Sequence, residues 1–265
     1  SLFNGPQICP FCTGPIAAGT SPSETASGQI WLTENANLLI TDSLGRRLGY
    51  IGNRFVSEIP GAGRVDFMGG TAYPATPLYS IPLTGTYTML LDGQPLTQTQ
   101  TLRLAQFGPG YAVSIENLTV SPTTRDELSI ASDGGTLLYR ASSNKEATLG
   151  LVRDGASESY QFKLGAVDLP VGQPVTLTND LNAGRLAFAN SRGASNSYDL
   201  VITRVSGAAG ATRFYHANLT AVPGDVQSFN YGTWDGIGSL VMQIDRGGDG
   251  TIDETRMLAN QIKKV

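Results

Sequence analysis

Apolar and polar residues alternate along short stretches of the chain from Gln29 almost to the C-terminus. Clear examples are residues 37–42, 85–91, 136–140 and 198–202. Alternation with a period of two residues is typical of strands that bury one face. Glycine, aspartate, asparagine and serine separate these stretches and supply the turns, and no segment with a helical period interrupts them. The pattern therefore predicts an all-β fold of short antiparallel strands.

The strand pattern restarts after Pro122, and an internal echo accompanies the restart. The tripeptide at residues 117–119, Asn-Leu-Thr, recurs at residues 218–220, which is 101 positions later. One sandwich domain has about 100 residues. We therefore predict two tandem antiparallel β-sandwich domains, Ig-like or jelly-roll-like, at residues 29–120 and 121–265. Chance similarity between two β-rich stretches is the alternative explanation of the echo.

The first 28 residues differ from the rest of the chain. They contain Pro6, Pro10, Pro15 and Pro22 among Gly, Ser and Thr. Prolines at this density are incompatible with a helix or a central strand. Residues 1–28 are therefore predicted to form an extension. It is either a linker or an arm that adds a strand to the sheet edge of a neighbouring subunit.

Composition narrows the classes of partner. Charged residues make up 15% of the chain and the net charge is −4, against roughly 25% charged residues in ordinary soluble proteins. Basic residues do not cluster, so a nucleic-acid partner is not expected. No apolar run approaches the roughly 20 residues of a membrane-spanning helix, and no membrane span is predicted. The glycine-rich, lysine-poor β composition favours an extracellular or cell-surface location.

Two stretches carry a family resemblance. Residues 36–45 read Ala-Asn-Leu-Leu-Ile-Thr-Asp-Ser-Leu-Gly, which places an outward turn after a paired strand, and residues 85–91 form a strand that begins Gly-x-Tyr. Over residues 36–93 this pattern resembles the bacterial pre-peptidase C-terminal type of β-sandwich, found in secreted and surface proteins. The resemblance implies an exported accessory or surface module without catalytic activity.

An aspartate-rich turn near the C-terminus has the spacing of a calcium loop. Asp245, Asp249 and Asp253 fall at positions one, five and nine of the loop shared by EF-hand and dockerin-type repeats. Gly250 supplies the sharp turn at position six, and Thr251 offers its carbonyl at position seven. Oxygen ligands at this spacing can converge on one hard cation, so the sequence predicts a Ca²⁺ site.

Residues 245–253 also depart from the calcium-loop pattern at two points. Gly247 replaces the acid or amide of position three, and Arg256 occupies the place of the bidentate acid at position twelve. Glu254 or an acid from another loop would have to complete the coordination shell. A metal-free Asp-Gly hairpin accounts for the same residues and stays open as an alternative.

The two cysteines lie close together in the N-terminal extension. Cys9 and Cys12 have the Cys-x-x-Cys spacing of thiol oxidoreductases. No βαβ pattern surrounds them, and Pro15 blocks the helix that would lower a thiolate pKa. A single distant histidine, His216, leaves zinc without four ligands. We expect a disulfide that fixes the extension, formed either within one chain or between chains.

Aromatic residues near the C-terminus suggest a binding surface. Tyr231 and Trp234 lie in Tyr-Gly-Thr-Trp-Asp-Gly, where polar residues and turns flank the rings, so they are candidates for a sugar-stacking platform. Core packing is the alternative, because large aromatics fill much of a sandwich interior. His216, in a strand-like run without a nucleophile motif, is expected to be a structural or surface histidine.

Together these features favour a non-enzymatic, exported structural or adhesion-type protein. We expect a self-assembling subunit of a surface layer or filament, which associates through sheet edges and uses its N-terminal arm. The alternative is a carbohydrate-binding accessory module of a secreted hydrolase, with a polysaccharide as partner. No pattern in the sequence marks a catalytic constellation.

Overall fold

The computed structural model describes residues 26–65, 78–190, 193–207 and 210–262, and within these ranges the fold is an antiparallel β-sandwich. The predicted all-β class is confirmed. The strands, in chain order, are β1 (Ser27–Leu32), β2 (Asn37–Asp42), β3 (Arg47–Ile51), β4 (Arg54–Ser57), β5 (Gly63–Val65), β6 (Leu78–Pro82), β7 (Tyr87–Asp92), β8 (Gln100–Gly108), β9 (Tyr111–Val120), β10 (Arg125–Ile130), β11 (Thr136–Arg140), β12 (Lys145–Asp154), β13 (Glu158–Leu169), β14 (Pro174–Asp180), β15 (Arg185–Ala189), β16 (Asn196–Ser206), β17 (Gly210–Ala221), β18 (Val226–Asn230), β19 (Leu240–Asp245) and β20 (Glu254–Leu258).

The strands form two sheets. One has nine strands in the order β17-β16-β13-β12-β9-β8-β1-β6-β5, and the other has eleven in the order β20-β19-β18-β15-β14-β11-β10-β7-β2-β3-β4. Alternate side chains of each sheet enter a common hydrophobic core, as the burial patterns of β9 and β13 illustrate. The core is one cluster that extends from Ile30 to Leu258.

From β8 onward the chain places hairpins alternately in the two sheets. The hairpin β8–β9 joins the nine-stranded sheet, β10–β11 the eleven-stranded sheet, and the same step repeats with β12–β15 and with β16–β19. Three successive units of four strands therefore extend the sandwich in one direction.

A shared backbone feature marks equivalent positions in these units. Asn117, Ala166 and Asn218 have φ angles of 59°, 57° and 59°, and among the described residues they are the non-glycine residues with positive φ. Each lies within a bulge, in which it and the residue before it face a single residue of the preceding strand. The bulge thus recurs at intervals of about 50 residues. The repeated Asn-Leu-Thr sequence occupies this position in the first and third units.

Both sheets continue across the predicted domain boundary at residues 120 and 121. β9 pairs with β12 in one sheet, and β7 pairs with β10 in the other. The residues predicted as two domains thus form one continuous pair of sheets. The predicted extension also ends earlier than expected, because β1 already begins at Ser27, and residues 1–25 lie outside the described part of the chain.

Replacing Ala166 with asparagine is expected to stabilise the fold. A left-handed backbone costs an ordinary L residue roughly 1–2 kcal/mol, whereas asparagine adopts it more readily. Ala166 is exposed, so the larger side chain meets no core atoms. We expect the free energy of unfolding in urea to rise by roughly 0.5–1 kcal/mol, a part of that backbone cost. The reverse change, Asn117→Ala, serves as the matched control and should lower it; an Ala166→Asn variant less stable than the parent would contradict the argument.

The last described residues cover one sheet edge. Gln261 donates its backbone N–H to the carbonyl of Tyr215 on β17 over 2.8 Å. Side-chain oxygens of Asn260 and Gln261 accept the backbone N–H groups of Tyr215 and Ala217 at 3.1 and 2.9 Å. The segment after β20 therefore pairs with part of the β17 edge, a recognised protection against pairing with other chains.

Candidate functional site

The predicted calcium loop connects β19 to β20 and closes on itself. The carboxylate of Asp245 is buried. Its Oδ1 accepts the backbone N–H of Asp249 at 3.1 Å, and its Oδ2 accepts that of Gly250 at 2.8 Å. Asp245 therefore fixes the turn by binding the amides of the residues that follow it.

The other predicted ligands also bind groups of the loop. Oδ1 of Asp249 accepts the backbone N–H of Thr251 at 2.8 Å. Oδ2 of Asp253 accepts the backbone N–H of Arg246 at 2.7 Å. Glu254 forms ion pairs with Arg246 and Arg256, and these hydrogen bonds to both arginines lower its pKa. Across the described ranges no three His, Cys, Asp or Glu side chains form a group that could hold a metal ion. Calcium at this loop stays a prediction.

Replacing Asp245 with alanine is expected to destabilise the protein in the absence of any metal. The variant loses two hydrogen bonds to a partly buried carboxylate, which we estimate at about 1–3 kcal/mol. The melting temperature, measured in chelator, should fall accordingly. Asp249→Ala is the matched control, because Asp249 is exposed and holds one amide, and it should have a smaller effect.

Measurements of the melting temperature also test whether the loop binds calcium. A cation that binds only the folded loop must raise the melting temperature of the parent protein in calcium relative to chelator. That rise should be absent in Asp245→Ala. Equal melts in calcium and chelator for the parent protein would remove the predicted Ca²⁺ site and leave the hydrogen-bonded hairpin.

The predicted aromatic platform is wrong, because both rings are in the core. Tyr231 is 1% exposed and Trp234 is 4% exposed. Tyr231 packs against Tyr160 and Phe162 with ring centroids 4.7 and 4.8 Å apart. A ring whose faces are covered by other side chains offers no surface for stacking on a sugar.

The ring of Trp234 is also enclosed by neighbouring groups. Its ring meets Phe214 edge to face with centroids 5.9 Å apart, and the guanidinium of Arg204 lies 5.9 Å from its centre. Its indole N–H donates to the carbonyl of Gly238 over 3.1 Å. These contacts place Trp234 in the hydrophobic core, so core packing, the alternative explanation of the aromatic residues, accounts for it.

His216 has a structural role. Its Nδ1 lies 2.8 Å from the carbonyl oxygen of Ala259, so the ring helps to hold the segment that covers the β17 edge. Cys9 and Cys12, with the predicted disulfide, lie outside the described residues.

A shallow groove crosses the outer face of the eleven-stranded sheet. Thr136, Thr178, Ala187 and Ser228 are paired in register on four neighbouring strands and form a row of short side chains at its floor. The cavity has a volume of 380 Å³, and its lining includes the longer side chains Asp133, Asp180, Arg185, Asp245 and Ile252. Hydroxyl, carboxylate and guanidinium groups along such a row can form hydrogen bonds with a polar ligand.

A buried charged cluster is the feature that the sequence did not indicate. Asp126 of β10 and Lys145 of β12 form an ion pair in which Nζ lies 2.6 Å from Oδ2. Their side chains are 0% and 4% exposed. The backbone N–H and the hydroxyl of Ser142 both donate to Oδ1 over 2.7 Å, and the hydroxyl of Tyr139 donates to Oδ2. Burial and then the charge of Asp126 raise the pKa of Tyr139 well above its ordinary value, so its hydroxyl keeps its proton.

Comparison with protein-family models, with curated proteins and with solved structures gives no match. In the described part of the chain, no helix has the length and hydrophobicity needed to cross a lipid bilayer.

Proposed function

We propose that this chain is a non-enzymatic structural or adhesion-type protein of the cell surface or extracellular space. The observation that carries the proposal is the continuous pair of sheets, which successive four-strand units extend in one direction. Such units add length and surface to the sandwich. The low charge content and the resemblance over residues 36–93 support export.

The hydrogen bonds of the candidate polar side chains support a role without catalysis. His216, the single histidine of the chain, holds the terminal segment through Ala259. The carboxylates of Asp245, Asp249 and Asp253 accept backbone amides of their own loop. These groups stabilise local structure through their hydrogen bonds.

We further propose that copies associate through the edges of the eleven-stranded sheet. Among the described strands of this sheet, β4 and β20 have a neighbour on one side only. Phe55 on β4 and Met257 on β20 are exposed large hydrophobic residues at these two edges. Pairing of β4 of one copy with β20 of the next would continue the sheet. A contact between different surfaces of this kind does not close on itself and generates a filament.

Light scattering and electron microscopy of the protein at rising concentration test this assembly. We expect particles that grow with concentration. Phe55→Lys and Met257→Lys should each reduce growth, because a lysine on an edge strand opposes pairing with a second chain. Ile237→Lys is the matched control, since Ile237 is exposed in the loop between β18 and β19, and it should assemble like the parent. A strict monomer at high concentration, with and without calcium, would sink the proposal.

The groove on the outer face favours the second candidate, a carbohydrate-binding accessory module. Its row of hydroxyl groups suits a polar polymer better than the buried Trp234 does. Retention on insoluble polysaccharides should then fall in Thr178→Val, which removes one hydroxyl from the row and keeps the shape of the side chain. A parent protein that no polymer retains removes this candidate.

A further inference from the structure

The pair of Asp126 and Lys145 joins the two sheets through the core. Asp126 lies on β10 of the eleven-stranded sheet, and Lys145 is the first residue of β12 in the nine-stranded sheet. Both side chains are largely shielded from water, because their exposed fractions are 0% and 4%. A buried ion pair lacks the hydration that favours charged groups at the surface.

The hydrogen bonds around Asp126 differ at its two oxygens. Oδ1 accepts two donors of Ser142, the backbone N–H and the hydroxyl, each over 2.7 Å. Oδ2 contacts the ammonium of Lys145 and the hydroxyl of Tyr139. The two donors to Oδ1 are arranged so that they could stabilise a negative charge on this oxygen. Oδ2 instead contacts two groups that carry protons, the ammonium of Lys145 and the hydroxyl of Tyr139.

We propose that Lys145 and Asp126 condense to an amide, which forms a covalent cross-link between the sheets. The ammonium first transfers a proton to Oδ2, which leaves a neutral amine and a carboxylic acid. The nitrogen lone pair attacks Cγ, and Oδ1 takes the negative charge under the two donors of Ser142. A second proton passes from nitrogen to Oδ2, through the hydroxyl of Tyr139, and the Cγ–Oδ2 bond breaks. Ammonium and carboxylate become amide and water, and no oxidant or other reactant is needed.

The fold supplies what this reaction lacks in solution. It holds amine and carboxyl in contact, and such orientation can be worth effective concentrations of about 10⁵ M or more. It keeps both side chains largely away from the water that would stabilise the ion pair. A second pair provides an internal comparison, because Nζ of Lys163 lies 2.9 Å from Glu116 but the two side chains are 52% and 16% exposed. That pair is expected to stay ionic.

Intact-mass measurement of the full chain under denaturing, reducing conditions tests the cross-link. We expect a mass lower than the sequence mass by one water. A protease digest should yield a branched peptide that joins the segment of Asp126 to the segment of Lys145, whereas Lys163 and Glu116 appear in linear peptides. Lys145→Arg keeps a cation at the position but should have its full sequence mass. Ser142→Ala, which loses one donor to Oδ1, should form the link more slowly.

Dehydration at an Asp-Gly sequence also removes one water, and the chain has such sequences at Asp133, Asp235 and Asp249 among others. The digest separates the two events, because cyclisation there gives a linear peptide. The full sequence mass in the parent protein, after prolonged incubation of the folded chain, would overturn the proposal. So would loss of one water that persists unchanged in Lys145→Arg.

Discussion

Replacing Asp126 with alanine is expected to lower the free energy of unfolding by about 3–5 kcal/mol, the cost of removing one partner from a buried ion pair. The ammonium of Lys145, whose side chain is 4% exposed, loses the carboxylate that lies 2.6 Å away in the parent protein. The hydroxyls of Tyr139 and Ser142 lose their acceptor at the same time. Where the amide between Asp126 and Lys145 has formed, the variant also loses a covalent tie, which adds to the loss.

Urea denaturation of the parent and the variant measures this effect. The double variant Asp126→Leu with Lys145→Met provides the control, because a buried ion pair replaced on both sides by apolar residues often keeps its stability. It should recover the part of the loss that comes from the unpaired group, and not the part that comes from a missing covalent tie. Lys163→Met, at the exposed pair with Glu116, should cost no more than about 1 kcal/mol. A loss below about 1 kcal/mol in Asp126→Ala would show that the cluster contributes little, contrary to the cost expected for an unpaired buried charge.

Strand positions could be predicted from the sequence because burial of one face imposes an alternation that each strand carries by itself. Residues 37–42 and 136–140 were predicted from that alternation alone, and they form β2 and β11. The sheet to which a hairpin belongs could not be predicted, because strands of both sheets alternate in the same way. The pairing of β9 with β12 therefore has no local signal.

The sequence indicates only two of the three four-strand units. Asn117 and Asn218 have the same conformation in the first and third units, and their identity produced the echo. Ala166 adopts that conformation in the second unit with a different side chain, so the sequence concealed the middle unit. The sequence therefore predicts a repeat of about 100 residues, the length of a sandwich domain, whereas the structure has one of about 50.

The candidate sites could also be predicted only in part from the sequence. Asp126 stands between Arg125 and Glu127, and three charged residues in a row usually indicate an exposed surface. Its partner Lys145 is 19 residues away on the other sheet, so only the fold brings the two together. The aspartates at residues 245–253 were placed correctly in a hairpin loop, but the sequence cannot distinguish carboxylates that bind a cation from carboxylates that bind amides.

Replacing Trp234 with alanine is expected to lower the free energy of unfolding by about 3–5 kcal/mol, the usual cost of truncating a large buried aromatic side chain. The variant leaves a cavity beside Phe214 and Arg204, and the carbonyl of Gly238 loses its indole donor. Thermal and urea denaturation should both show the loss. Phe55→Ala, at a ring that is 36% exposed, is the matched control and should change stability much less.

The size of this effect decides how Trp234 can be used in binding experiments. A polysaccharide assay that loses retention in Trp234→Ala would report unfolding if the loss of stability is as large as expected. Trp234→Phe keeps most of the ring in the core and should remain folded, so retention in that variant should equal that of the parent. A stable Trp234→Ala protein with specific loss of retention would instead mean that the ring is available to a ligand, against its 4% exposure. Because Trp234 is buried in the core, its contribution to function is expected to pass entirely through the stability of the sandwich.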